Sequence, residues 1–398
     1  MIANAVRYYL SAYKGLSREI WLLAFVNLIN RCGTMVIPFL MLYLTSQLGC
    51  SISKAGIVMS LWGIGAFIGS YFGGRLTDSI GFYKIQLLSL FMGGVGFIVL
   101  GQLGNYYIIC TFTFFLAVVN EAFRPANTAA MGRFSTEENR MRSFTLMRLS
   151  FNMGWAVGAG LGGFIAHQSY QLLFWIDGIT NILAAILLWN LLPDKYSREI
   201  REKVKSTTHN TSVFADKVFV QFILVSVIFL SCFVQLFTNL PVFFKKELHL
   251  EENLIGYLAS WNGILIVLIE MTLIYWVERN WSKRKAIVLG VSFHVAAYLL
   301  ASIVHLSFSG AFIMMTMITL SEMFAFAVLV NFWMSRTNDT NRGQYAAIWT
   351  MVWAFSQTVG PFLGSLTAQH AGFKVLWFGV ALLSGFATFF YAKIIPAK

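Results

Sequence analysis

Residues 73–84 read Gly73-Gly74-Arg75-Leu76-Thr77-Asp78-Ser79-Ile80-Gly81-Phe82-Tyr83-Lys84. This polar stretch separates two apolar runs, at about 54–72 and about 84–102, each long enough to cross a hydrocarbon layer as a helix of roughly 20 residues. Glycine permits a tight turn and a close helix approach, while Asp78, Arg75 and Lys84 belong where water reaches them. The stretch reads as a loop at a cytoplasmic helix end.

Working outward, similar apolar runs occupy about 20–47, 105–131, 140–166 and 170–191. Then Pro193 to Lys217 holds six Lys/Arg and four Asp/Glu among Ser, Thr and Asn, too polar to enter lipid. Six more runs follow at about 218–244, 253–276, 286–305, 309–334, 343–368 and 371–392. We therefore expect an all-α polytopic membrane protein whose twelve transmembrane helices form two pseudo-symmetric six-helix bundles. The expected bundles are 1–192 and 218–398, joined by a cytoplasmic connector at 193–217.

Composition argues the same way. Of 398 residues, 58% are hydrophobic and 12% charged, against about 25% charged in ordinary soluble domains. A soluble globule and a disordered chain are both excluded. Cys32, Cys50, Cys110 and Cys232 show no paired spacing, so neither a disulfide framework nor a metal site is suggested, and no cofactor is expected.

The formal charge of +12 raises the question of a nucleic-acid partner, and its placement answers it. With both ends cytoplasmic, 22 Lys/Arg fall in cytoplasmic segments and four (Lys54, Lys245, Lys246, Lys374) in outer loops, with Arg31, Arg124 and Arg148 inside spans. That asymmetry is the positive-inside pattern of a membrane protein, not a nucleic-acid surface, and the expected location is the cytoplasmic (inner) membrane of a prokaryote. The first apolar run lacks a small-residue cleavage site after it and reads as an uncleaved span. The sequons at Asn210 and Asn338 lie in expected cytoplasmic loops and carry no meaning.

The halves resemble each other. A shift of 202 residues superposes Val157, Gly158, Leu161, Gly162, Ala166 and Trp175 on Val359, Gly360, Leu363, Gly364, Ala368 and Trp377. Likewise, Asp78 before Lys84 corresponds to Glu278 before Arg284. A duplicated six-helix unit is the architecture of secondary transporters, in which two similar bundles rock about a site at mid-membrane.

Gly74, Leu76, Asp78, Gly81 and Lys84 resemble the signature loop of the major facilitator superfamily, and the likeness extends over nearly the whole chain. It implies a secondary transporter in which this loop, Arg75 included, latches the inward gate. Gly154, Gly158, Gly160, Gly162 and Gly163 on the fifth run form a seam for close helix packing in lipid. Although Gly158 to Gly163 spells G-x-G-x-x-G, it lies inside an apolar span and not between a strand and a helix, so no dinucleotide site is read. The seam is similar to the fifth-helix motif of the superfamily's antiporters, with Ala159 in place of proline. Gly158 and Gly162 join the expected gating residues, and the counterpart Gly360-Pro361-Phe362-Leu363-Gly364 keeps its proline.

Ionisable side chains within spans are expensive unless paired or wetted. Arg31 and Glu322 fall near the middle of the first and tenth runs, on opposite halves, and are the leading candidates for substrate and proton binding. Glu121 and Arg124, three apart on one helix face, and Arg148 on the next run form a second candidate cluster. Asp177 and Glu270 lie nearer span ends and read as wetted. Asn27, Asn30, Asn152, Gln235, Asn239 and Gln357 offer neutral hydrogen bonds to a solute, and Trp155, Trp349 and Trp353 offer stacking faces. His294 and His305 read as satisfied or interfacial.

Asn30-Arg31-Cys32-Gly33 with Pro38 to Leu44, and Glu322 with Asn341 to Tyr345 and Gly360-Pro361, resemble patches of drug-efflux members and of the proton-coupled oligopeptide transporters. The latter carry a Glu-any-any-Glu-Arg motif where this chain has Asn27, Asn30 and Arg31. The resemblance implies Arg31 meeting a substrate carboxylate and Glu322 a substrate amine. Two functions compete: a proton-coupled transporter of a drug-like or amphipathic solute, and an uptake symporter for short peptides or amino acids. An enzyme is not expected, because no G-x-x-x-x-G-K-[ST], H-E-x-x-H or G-x-S-x-G occurs. The expected partners are a small-molecule solute, the proton and the bilayer, with the chain acting as a monomer.

Overall fold

A computed structural model describes residues 15–136, 138–192, 213–304, 306–337 and 342–396. Most of the expected connector lies outside the described residues, as do Arg7, Lys14, Asn210, His305, Asn338 and Asn341, and so does the Glu278 side chain.

Among the described residues the structure is all helical. In chain order the spans are Arg18–Gly33 with Val36–Leu42 and Tyr43–Gln47, Ile52–Ile80, Phe82–Leu100, Tyr106–Glu121 with Phe123–Phe134, Arg140–Gln168 and Tyr170–Leu191. They continue as Lys217–Phe233 with Val234–Phe237 and Asn239–Lys246, then Glu252–Asn280, Lys283–Ile303, Phe308–Met334, Arg342–His370 and Phe373–Ile394. We number them one to twelve. Eleven are both long and apolar enough to cross a membrane; span eleven, Arg342–His370, has the length but more polar side chains.

Starts are set by side chains that accept otherwise orphaned amides. Asn105 accepts from Tyr107 and Ile108 (3.0 and 3.3 Å), Asp216 from Phe219 (3.1 Å), Ser282 from Lys285 and Ser307 from Gly310. In spans four and seven the breaks accompany proline, which has no N–H to give the carbonyl four residues earlier. In span four Pro125 leaves the Glu121 carbonyl open, and the Ser70 hydroxyl donates to it at 3.5 Å. In span seven Pro241 follows the turn at Val234–Phe237.

The stretch read as a loop is different in the structure. Span two stays helical through Ile80, and only Gly81 breaks it, with φ +92°. Backbone groups in a helix interior pair with one another whatever the solvent, so the helix can continue past the end of the apolar run. Gly73 sits where a Cβ would lie 2.6 Å from the Ala122 Cα.

Two compact units partition the chain: residues 1–36 with 65–201, and residues 37–64 with 202–398. In the first, Ile20, Leu23, Phe82, Phe123, Met131, Leu146 and Leu188 share one core. Span one packs on spans five and six, and span three on spans four and six. In the second, Phe222, Phe229, Trp333, Trp349 and Tyr391 belong to one core. Span seven packs on spans eleven and twelve, and span nine on spans ten and twelve, the same pairing repeated. Residues 52–64 lie against span eleven. The Ile52 amide donates to the Gln369 side chain at 2.9 Å, and a Cβ on Gly63 would meet the Gln357 carbonyl at 2.7 Å. Large apolar side chains such as Phe25, Phe72, Phe115, Trp189, Leu268 and Phe389 point outward, as expected where the solvent is hydrocarbon.

Candidate functional site

Span one is interrupted after Gly33, where Thr34 turns out of the helix and the second segment starts at Val36. A break inside lipid exposes backbone amides that water cannot satisfy. Here a side chain from span six does so. The Asp177 carboxylate, fully buried, accepts the Met35 amide at 3.2 Å and the Val36 amide at 3.0 Å on Oδ2. Its Oδ1 accepts the Asn181 side-chain amide at 2.9 Å, and Asn181 in turn accepts from Asn30 at 2.7 Å. The expectation of a wetted Asp177 is thus overturned: its oxygens are occupied by chain donors. Glu270 is also buried, at 6% exposure.

Arg31 stands just before this break. Its guanidinium carbon lies 4.7 Å from the centre of the Phe151 ring, and its Nε is buried with no hydrogen-bond partner among the described residues. Behind it, span five presents glycines. A Cβ on Gly154 would collide with the Arg31 side chain, and one on Gly158 would lie 2.9 Å from the Arg31 and Cys32 carbonyl oxygens. The glycine seam is therefore the surface on which the broken helix rests.

Other expected residues of this unit divide by surroundings. Asn27 is buried and donates to the Met147 carbonyl at 3.5 Å. Glu121 pairs with Arg124 at 3.2 Å, but the Arg124 side chain is 56% exposed, which makes the pair a weak contributor. Arg148 is exposed and has an interaction partner, and Asn152 and Trp155 are half-buried. Gly162 is buried. In the signature stretch, Arg75 lies over the Tyr71 ring at 4.6 Å, Asp78 is exposed but partnered, Gly74 is half-buried and Lys84 is exposed.

In the second unit Glu322 is half-buried on span ten and accepts the Asn262 side-chain amide of span eight at 3.1 Å. Asn262 also donates to Thr319 at 3.0 Å. Gln235 and Asn239 flank the break in span seven. Gln235 donates to the Gly360 carbonyl at 2.8 Å, and Asn239 donates to the Gln235 side-chain oxygen Oε1 at 2.7 Å. Both amides are buried; Gln235 ties the break to span eleven, and Asn239 orients Gln235. Trp353 sits with its ring 5.6 Å from Phe326 and 6.4 Å from Phe233, half-buried, and Gln357 is half-buried. Trp349 is stacked on Phe222 inside the core. His294 is fully buried with Nδ1 3.0 Å from the Ser384 hydroxyl.

Sequence reading missed Asn181, Asn262 and the pair Asp216–Arg336. Arg336 grips Asp216 with two bonds, Nε to Oδ2 at 2.7 Å and Nη2 to Oδ1 at 2.6 Å, and Tyr345 adds its hydroxyl at 3.2 Å. Burial alone would lift the Asp216 carboxyl. The Arg336 bonds and the Phe219 amide outweigh it and hold the group below the usual carboxylate range. The only sequence signal for Asn181 was its position four residues after Asp177 on one helix face.

Comparison with known proteins agrees with this architecture. The multidrug resistance protein 2 of Bacillus subtilis (strain 168) is 28% identical over 165 residues, covering 41% of each chain. The chain thus spans about two-fifths of the length of the first curated relatives it matches. A Na(+), Li(+), K(+)/H(+) antiporter of Planococcus maritimus is 22% identical over 90% of this chain and 91% of its own. Among solved structures, a POT family transporter in complex with a thioalcohol-conjugated peptide superposes with a TM-score of 0.80 over 95% of this chain and 96% of its own. At 14% identity that likeness concerns the fold. The family model described as Major Facilitator Superfamily matches residues 23–337 and again 243–398, and the chain belongs to that superfamily.

Proposed function

We propose that this chain is a proton-coupled secondary transporter that moves a small, drug-like or amphipathic organic solute across the cytoplasmic membrane by alternating access, with both termini cytoplasmic. The observation that carries this reading is Arg31: an ionised side chain in mid-span whose Nε has no protein acceptor among the described residues. A charged side chain within a span that keeps a buried, unused donor is a candidate functional group. Glu322, a half-buried carboxylate of span ten that accepts from Asn262, is the proton carrier in this reading. The multidrug relative supports the solute class, and the antiporter relative supports exchange against protons. In this reading the helix around Asp78 and the turn at Gly81 act in gating.

The test is transport by the purified protein in liposomes under an imposed pH gradient, with ethidium as the solute. Movement that collapses with an uncoupler and disappears in Glu322→Gln is expected. Uncoupler-resistant movement overturns the coupling, and counterflow of a labelled dipeptide with no response to ethidium overturns the solute class.

A further inference from the structure

The breaks in spans one and seven, the first spans of the two halves, are held differently. In span seven the break is held by Gln235 and Asn239, neutral amides with no proton to gain. In span one it is held by the Asp177 carboxylate. We propose that Asp177 is a proton-binding residue that positions the break in span one: ionised, it holds the Met35 and Val36 amides, and protonated, it releases a bond of that network.

The argument is one of donors and acceptors. Oδ2 takes both backbone amides and Oδ1 takes the Asn181 amide. A proton on Oδ2 puts a donor where two N–H groups point. A proton on Oδ1 either meets the Asn181 NH2 or takes that oxygen's second lone pair, and the Asn181 side chain is not free to turn over. Its oxygen accepts from Asn30, and its nitrogen also donates to the Asp177 carbonyl at 2.8 Å. A proton on Oδ2 therefore breaks a bond of the network, and a proton on either oxygen removes the charge that strengthens all three bonds. What is released lies at a consequential place, because the partition between the compact units falls at Val36–Ile37, immediately after the amides Asp177 holds.

The charges around Asp177 are few. Span one brings Arg31, which acts on it electrostatically, with Cys32 beside it and Arg18 and Glu19 at its far start. Span three meets Gly178 with Gly94 and Ile98, and its titratable groups, Tyr83 and Lys84, lie in its first three residues. Span five carries Arg140, Arg142 and Arg148 in its first nine residues and His167 at its end. On span six itself Tyr170 is the other titratable group. Arg31 is thus the charge to which a change at Asp177 is coupled.

This inference deepens the proposed proton coupling and rests on that reading for its use in transport, so its test needs neither solute nor gradient. The purified full chain is titrated from about pH 8 to about pH 5 by infrared difference spectroscopy, following the protonated-carboxyl stretch. Deuterium exchange of the segment 33–42 is followed in parallel, corrected for intrinsic pH dependence. The wild type should gain a carboxyl band that is absent in Asp177→Asn. Its 33–42 exchange should rise with the same midpoint by roughly three- to tenfold, the range for one net hydrogen bond. Wild-type exchange that is flat across the titration, or a step that persists in Asp177→Asn, overturns the proposal. Should that variant not fold, Asn181→Val keeps the carboxyl and removes a partner. Infrared and exchange midpoints that shift together support the proposal, and midpoints that stay put overturn it.

Discussion

Gly158 lies so close to Arg31 that a Cβ on it would sit 2.9 Å from the Arg31 carbonyl oxygen, and 202 residues later Gly360 stands 2.8 Å from the Ser231 carbonyl oxygen by the same measure. Each half rests its broken first span on a glycine of its fifth. The repeated contact is closer than any side chain permits, which makes glycine a packing requirement in both halves.

A methyl group at either position must push the two helices apart. Gly158→Ala and Gly360→Ala are each expected to lose about 1–3 kcal/mol, the usual range for overpacking a closed interface. Thermal unfolding of the purified variants checks this, and an unchanged midpoint in either would show that the seam can open.

The signature stretch offers an internal control between two of its glycines. Gly81 has φ +92° and ψ 151°, a region that only glycine occupies comfortably, so Gly81→Ala should cost about 1–3 kcal/mol. Gly74 is helical and has only the Pro125 Cβ at 3.9 Å nearby, so Gly74→Ala should stabilise the helix by about 0.5–1 kcal/mol. Opposite shifts of the unfolding midpoint are the expected outcome, and equal shifts would contradict the assigned backbone roles.

Asp216 and Arg336 bring a pH dependence with a definite sign. The folded carboxyl is held below its unfolded value, so its stabilisation is present above the unfolded value of about 3.9 and fades as pH falls through the folded one. Acid titration of wild-type stability should show this loss, and Asp216→Asn should flatten it. Arg336→Lys should lose about 1–3 kcal/mol, since an ammonium cannot make the two-pronged contact. A lysine variant as stable as wild type would refute the bidentate role.

Asn262 and Glu322 should behave as one unit. A double-mutant cycle with Asn262→Leu and Glu322→Gln is expected to give a coupling of about 0.6 kcal/mol, and at most about 1.7, as for hydrogen bonds between membrane helices. Strict additivity in unfolding would separate the two side chains. Ethidium transport by Asn262→Leu, measured alongside, should fall less than in Glu322→Gln.

What the sequence determined alone was everything that follows from the transfer of side chains out of water. Charge is expelled from hydrocarbon wherever it lies along the chain, so the runs at 84–102 or 170–191, the polar gap after Pro193 and the mid-span positions of Arg31 and Glu322 could be read one residue at a time. The glycine seam was legible for the same local reason. The breaks were not. Span one reads as one apolar run from 20 to 47 because an interruption inside lipid depends on who satisfies the freed amides, and that partner, Asp177, is 141 residues away from Val36. Gln235 is likewise tied to the Gly360 carbonyl across 125 residues. A hydrogen bond is decided by distance and direction in space, so only the tertiary structure could show that Asp177 is dry and engaged, that Gln235 holds the Gly360 carbonyl, and that Asn239 donates to the Gln235 side chain.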